Sequence, residues 1–79
     1  MDTNRKAPVP GSKVVLTELP PGLVDGLMMV DQRAIRAIVG QPVILSGYDD
    51  FGSAELQFTD RRGHIHFIYV NLSFIRPIE

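Results

Sequence analysis

The sequence predicts a small, mostly β domain of about five strands, with one short helix inserted after the first strand. Two observations carry most of that reading. One is a repeat of turn chemistry: "DDFG" (49 to 52) and "DRRG" (60 to 63) share the form Asp-x-x-Gly and recur eleven residues apart. Each lies between stretches that alternate apolar and polar side chains. The other is a change of period. In "QRAIRAIV", between Asp31 and Gly40, the apolar residues Ile35, Ile38 and Val39 fall three and four apart, whereas the chain from Pro42 onward follows a period of two.

The elements follow in order. "MDTNRKAPVPGS" (1 to 12) is polar, holds two prolines and a glycine, and has neither period, so it reads as a flexible tail ahead of one domain at 13–79. "KVVLTEL" (13 to 19) is rich in β-branched residues and stops at Pro20-Pro21-Gly22, a first strand ended by a turn. Asp31 suits a helix N-cap, because its carboxylate accepts free amides of the first turn, and Gly40 suits the position past a helix end. A helix over 31–39 would be marginal alone and must dock through Ile35, Ile38 and Val39. "PVILSGY" (42 to 48), "SAELQFT" (53 to 59) and "HIHFIYV" (64 to 70) are strands joined by the two Asp-x-x-Gly turns, a three-stranded meander. In such a turn Asp caps the backbone and Gly takes a positive φ, which gives a three-residue loop closed by a glycine bulge. Asn71 and Ser73 point to a single 3₁₀ turn, and "FIRPI" to a last short strand that Pro77 confines to an edge.

The bulge fixes a register. Thr59 faces Ile65 and Phe58 faces His66, so Leu56, Phe58, His66, Ile68 and Val70 share one side of the sheet. Ile65, Phe67 and Tyr69 share the other, beside Glu55, Gln57 and Thr59. A plain two-residue tip would instead put Leu56 and Phe58 with Ile65, Phe67 and Tyr69; Gly63 is better explained by the bulge.

The order of strand, long connection, meander, 3₁₀ turn and closing strand resembles the SH3-like small barrel. "VVLTELPPGL" with "GSAELQFTDRRGHIHFIYV" is similar to small uncharacterised bacterial proteins of that fold, over roughly residues 13 to 78. The resemblance implies a barrel of five strands. The helix departs from signalling SH3 domains, which have an irregular loop there, and the aromatic proline-binding motifs are missing, so recognition of proline-rich peptides does not carry over.

Composition narrows the function. Seventy-nine residues make one domain at most, with a core near the lower limit for independent stability. With no cysteine there is no disulfide framework and no thiol nucleophile, which fits a reducing cytoplasm. Eight Lys and Arg against nine Asp and Glu give no bulk pull towards nucleic acid. No apolar run approaches the roughly 20 residues of a membrane span, and no export signal is read at the N-terminus. Ser12, Ser46, Ser53 and Ser73 lack a nucleophile elbow and a base. Gly26, Gly40, Gly47, Gly52 and Gly63 form no phosphate-cradling motif. Asp49-Asp50 is explained by turn chemistry, and Met28-Met29 by packing. His64 and His66 point the same way from a strand, a spacing for two zinc ligands, but Asp60 is the sole nearby third candidate. The expectation is a non-enzyme with no metal, no cofactor and no small-molecule substrate.

That leaves surfaces. Either the helix lays Ile35, Ile38 and Val39 over part of the side carrying Ile65, Phe67 and Tyr69, or the bent barrel wraps that side, or it is open and binds something. The functional expectation takes the last course: a protein partner or a second copy docks on Ile65, Phe67 and Tyr69, with Arg61 and Arg62 as rim charges. The alternative is an RNA- or single-stranded-DNA-binding surface. There Arg33, Arg36, Arg61 and Arg62 would meet phosphates while Tyr48, Phe51 and Tyr69 stack on bases. The interleaved Asp31, Asp49, Asp50 and Asp60 argue against it.

Overall fold

The computed structural model describes residues 7–78. Its elements are β1 (Lys13–Leu16), α1 (Met29–Ala37), β2 (Pro42–Tyr48), β3 (Ala54–Thr59), β4 (Ile65–Val70), a 3₁₀ turn (Leu72–Phe74) and β5 (Ile75–Pro77). All five strands are antiparallel neighbours in one sheet of order β4-β3-β2-β1-β5. The protein is thus mostly β, with one short helix after the first strand. Its sheet is open, and β4 and β5 are the two edges.

Both meander turns are built alike. Asp49 Oδ1 accepts from the amides of Phe51 (2.9 Å) and Ser53 (2.8 Å), and Asp60 Oδ1 accepts from those of Arg62 (2.8 Å) and His64 (3.0 Å). Gly52 and Gly63 take φ of +82° and +87°. That handedness lets the chain re-enter the sheet one residue late, as Asp60 N–H bonds the His64 carbonyl at 2.9 Å. The resulting register is the bulged one, with Thr59 opposite Ile65, Phe58 opposite His66, and Leu56 opposite Ile68.

Strand alternation sorts the side chains. Val14 and Leu16 of β1, Val43 and Leu45 of β2, Ala54, Leu56 and Phe58 of β3, and Ile68 and Val70 of β4 are buried together. Ile35 of α1 and Val24 of the preceding turns join the same core. The helix therefore covers the side of the sheet that carries Leu56 and Phe58. The covering of Ile65, Phe67 and Tyr69 by Ile35, Ile38 and Val39 does not occur. One apolar stripe can serve one face, and the larger apolar side of the sheet claims it.

The helix boundaries also differ from expectation. The amides of Asp31 and Gln32 both donate to the Met28 carbonyl at 3.0 Å, so the first turn closes before Asp31 and leaves it no capping role. Asp31 sits in that turn, where its charge favours the positive end of the helix. At the other end Val39 bridges Leu16 in parallel and Gly40 N–H bonds the Leu16 carbonyl at 2.9 Å, so the chain leaves the helix after Ala37. β1 ends at Leu16, short of Leu19, with Thr17 still tied through its amide to the Phe74 carbonyl at 2.8 Å.

Of the expected tail, residues 1–6 lie outside the described residues. Residues 8–12 run beside β2. Gly11 N–H bonds the Leu45 carbonyl at 2.7 Å, Leu45 N–H bonds that of Ser12 at 2.9 Å, and the Tyr48 hydroxyl donates to the Pro8 carbonyl. Among the described residues no helix is long and apolar enough to cross a membrane.

Candidate functional site

On the outer side of β4, Ile65, Phe67 and Tyr69 are 58, 54 and 51 % exposed, while Ile68 and Val70 between and beyond them are buried. A row of three large apolar side chains along one strand is contiguous, since residues two apart on a strand stand on the same side. The backbone adds to it. Asp60 and His64 form a hydrogen-bonded pair through Asp60 N–H, and such pairs recur at every second position of an antiparallel ladder. His66, Ile68 and Val70 therefore direct their amides and carbonyls to β3. Ile65, Phe67 and Tyr69 direct theirs away from it, to the open edge. The same three residues present exposed side chains and outward backbone groups.

Tyr69 is anchored at its tip. Its hydroxyl donates to Glu55 Oε2, and Ser46 Oγ donates to Glu55 Oε1 at 2.8 Å. Ser46 is the extra residue of a β-bulge in β2, between Leu45 and Gly47, which turns its hydroxyl towards β3. The bonds from Tyr69 and then Ser46 hold the Glu55 carboxyl below its usual range. The bond to Glu55 and its negative charge, with Asp49 adding, push the Tyr69 phenol up. Tyr69 is thus a neutral, oriented ring.

Beyond Ile65 the turn is braced by Asp60. Its Oδ2 lies 2.8 Å from His66 Nε2 and 3.8 Å from His64 Nδ1, and the His66 ring stacks on Phe58 with centroids 5.1 Å apart. The bond to His66, backed by the amides of His64 and Arg62, lowers the Asp60 carboxyl to about 2. The two histidines part company. His66 is largely covered and His64 is open to solvent. Among the described residues, no cluster of three or more His, Cys, Asp or Glu side chains is placed to hold a metal ion.

The arginines are divided. Arg33 of α1 and Arg61 and Arg62 of the 60–63 turn line one groove of about 570 Å³, whose remaining wall includes Val30, Ala34, Ala37 and Ile38. Arg36 is not part of that lining. Tyr48 packs against the core and spends its hydroxyl on Pro8, and burial pushes its phenol up, so it is not a free stacking surface. Phe51 is 93 % exposed, but it stands on the other turn. The six residues of β3 separate the two turns by roughly 20 Å. The groove itself was not legible, because nothing in the local pattern says which turn a docked helix will approach. The Glu55–Tyr69 bond differs in this respect: the bulged register already sets Glu55 opposite Tyr69.

Comparison with protein families, with curated proteins and with solved structures finds no match to this chain.

Proposed function

We propose that this protein is a non-catalytic interaction module that docks a protein partner, or a second copy, on the outer side of β4. The observation that carries the reading is the coincidence, at Ile65, Phe67 and Tyr69, of exposed apolar side chains with backbone groups turned to an open sheet edge. Strand addition uses both features at once: main-chain hydrogen bonds supply affinity and alternate side chains supply selectivity. Arg61 and Arg62 flank the row as rim charges. The strand order supports reading the fold as an SH3-like barrel that is open between β4 and β5.

The test substitutes Phe67→Ser and Tyr69→Ser singly and measures both association and thermal unfolding. Each variant is expected to lose association while its melting midpoint stays within a few degrees of wild type, on the order of 0.5 kcal/mol for an exposed site. If both melt far below wild type, the row belongs to the core and the reading fails.

A second reading rests on one observation: Arg33, Arg61 and Arg62 line the same groove. A single strand of RNA or DNA lying there would be released steeply by salt, whereas an apolar edge would not. The apolar wall, the withdrawn Tyr48 and the near-neutral chain rank it second.

A further inference from the structure

We infer that the partner seated on β4 is a second copy of this chain, paired antiparallel through β4 about a two-fold axis at Phe67. This rests on the proposed docking role of β4 and deepens it by naming the occupant.

Self-complementarity supports it. A two-fold axis normal to the sheet keeps both outer sides together and requires each residue to face one on the same side. With the axis at Phe67, Phe67 faces its own copy, Ile65 faces the second copy's Tyr69, and Tyr69 faces the second copy's Ile65. These are the three residues whose amides and carbonyls leave β3 for the edge. Each facing couple exchanges two bonds, about six in all, and no outward donor on either strand is left over. Moving the axis by one residue along β4 shifts the register by two and leaves Tyr69 or Ile65 of each copy facing no residue of the row. His66 and Ile68 face each other on the inner side, next to the cores. The side chains match as well: an aromatic pair on the axis, flanked twice by a tyrosine beside a β-branched residue, is a favoured cross-strand set.

Charge gives the second argument. β3 runs from the 49–52 turn to the 60–63 turn, so Asp49 and Asp50 stand at the Tyr69 end of the meander and Arg61 and Arg62 at the Ile65 end. Antiparallel pairing sets the arginine turn of each copy beside the aspartate turn of the other, twice over. A parallel pairing would set like charges together. The interface is small, so dissociation is expected in the micromolar range.

The experiment uses the full chain. Sedimentation across a concentration series is expected to show a dimer for wild type. Phe67→Arg, which places two like charges on the axis, should weaken it on the order of 30-fold or more while the melting midpoint is kept. The register is read with single thiols in a chain that has no cysteine. Phe67→Cys should oxidise to a covalent dimer, because residues facing each other in a hydrogen-bonded couple have Cα atoms about 5.5 Å apart. Ile65→Cys or Tyr69→Cys alone should not, but the two mixed should. A wild type that stays monomeric up to about 1 mM overturns the inference. So does a dimer that survives Phe67→Arg, or one that cross-links through Ile65→Cys alone. If the chain is monomeric yet Phe67→Ser and Tyr69→Ser melt like wild type, the second copy is excluded and β4 remains open to a different partner. If those variants unfold, the docking role itself falls.

Discussion

The two edges of the sheet are made differently. β5 has three residues, carries Arg76 and Pro77, and follows directly on the 3₁₀ turn. Thr17 N–H to the Phe74 carbonyl (2.8 Å) and Ile78 N–H to the Lys13 carbonyl (3.2 Å) set its ladder, which turns Ile75 and Pro77 outward. Ile75 spends its amide on the Leu72 carbonyl, and proline has none to give. That edge offers acceptors without donors, a common way of blocking unwanted pairing. β4 is twice as long, free of proline, and turns three amides and three apolar side chains to the open side. The two edges of one sheet thus differ in what they offer for pairing: β5 presents no outward amide, and β4 presents three beside three exposed side chains.

The largest expected effect separates the two sides of β4. Ile68→Ala, at a site 7 % exposed, should cost about 2–5 kcal/mol in urea unfolding. Phe67→Ala, a larger truncation one residue away, should cost less than about 1 kcal/mol in the monomer. Equal losses would mean that the outer row is packed and that the comparison of edges has lost its meaning. The next effect concerns the backbone. His66→Pro removes an amide that faces Phe58 of β3 and should cost about 1–3 kcal/mol beyond His66→Ala, which takes away the ring alone. Phe67→Pro removes an amide that faces the edge and should cost the monomer much less relative to Phe67→Ala. Chemical denaturation of the four variants decides it, and a reversed order would place the outward groups on the wrong residues.

What could be read from the sequence follows the range of the interactions. The meander was legible because its determinants are local: an aspartate that caps its own turn, a glycine that takes a positive φ, and a period of two that then assigns every side chain to a side. Gly63 alone decided that Phe58 would meet His66 and leave Tyr69 outside. The 3₁₀ turn and the edge position of Pro77 were legible for the same reason. Elsewhere a local signal had more than one solution. The stripe of Ile35, Ile38 and Val39 says that the helix must dock, but not on which side of the sheet. Asp31 has the chemistry of a cap, yet the Met28 carbonyl closes the turn first. Tyr48 looks free for stacking until residue 8 is brought to its hydroxyl, and Arg36 falls outside the groove that takes Arg33. Whether β4 and β5 meet is also a long-range matter, which no stretch of either strand encodes.

A smaller effect distinguishes the turns beside the two edges. The β4 turn is braced by the Asp60 carboxylate, and the turn leading into β5 by the neutral Asn71 amide, whose Oδ1 accepts from Ser73 N–H at 2.9 Å. Asp60 titrates lower in the folded chain, about 2, than its ordinary 3.8. Its contribution is therefore fully present above about pH 4 and is lost as the pH falls towards 2. The Arg62 and His64 amide resonances should shift through that window while Ser73 does not, and Asp60→Asn should abolish the difference. Movement of Ser73 in step with His64 would point to global acid unfolding instead.

The smallest effect tests whether Pro77 alone guards the β5 edge. Pro77→Val restores one outward amide, with a stability change expected within about 0.5 kcal/mol. One donor does not make a ladder: Ile75 still gives its amide to Leu72, and the strand has only three residues. In a Phe67→Arg background, where β4 pairing is disabled, Pro77→Val should therefore stay monomeric in sedimentation. If it dimerises there, the proline is the sole guard and strand length is irrelevant. The contrast between the edges would then reduce to one missing hydrogen.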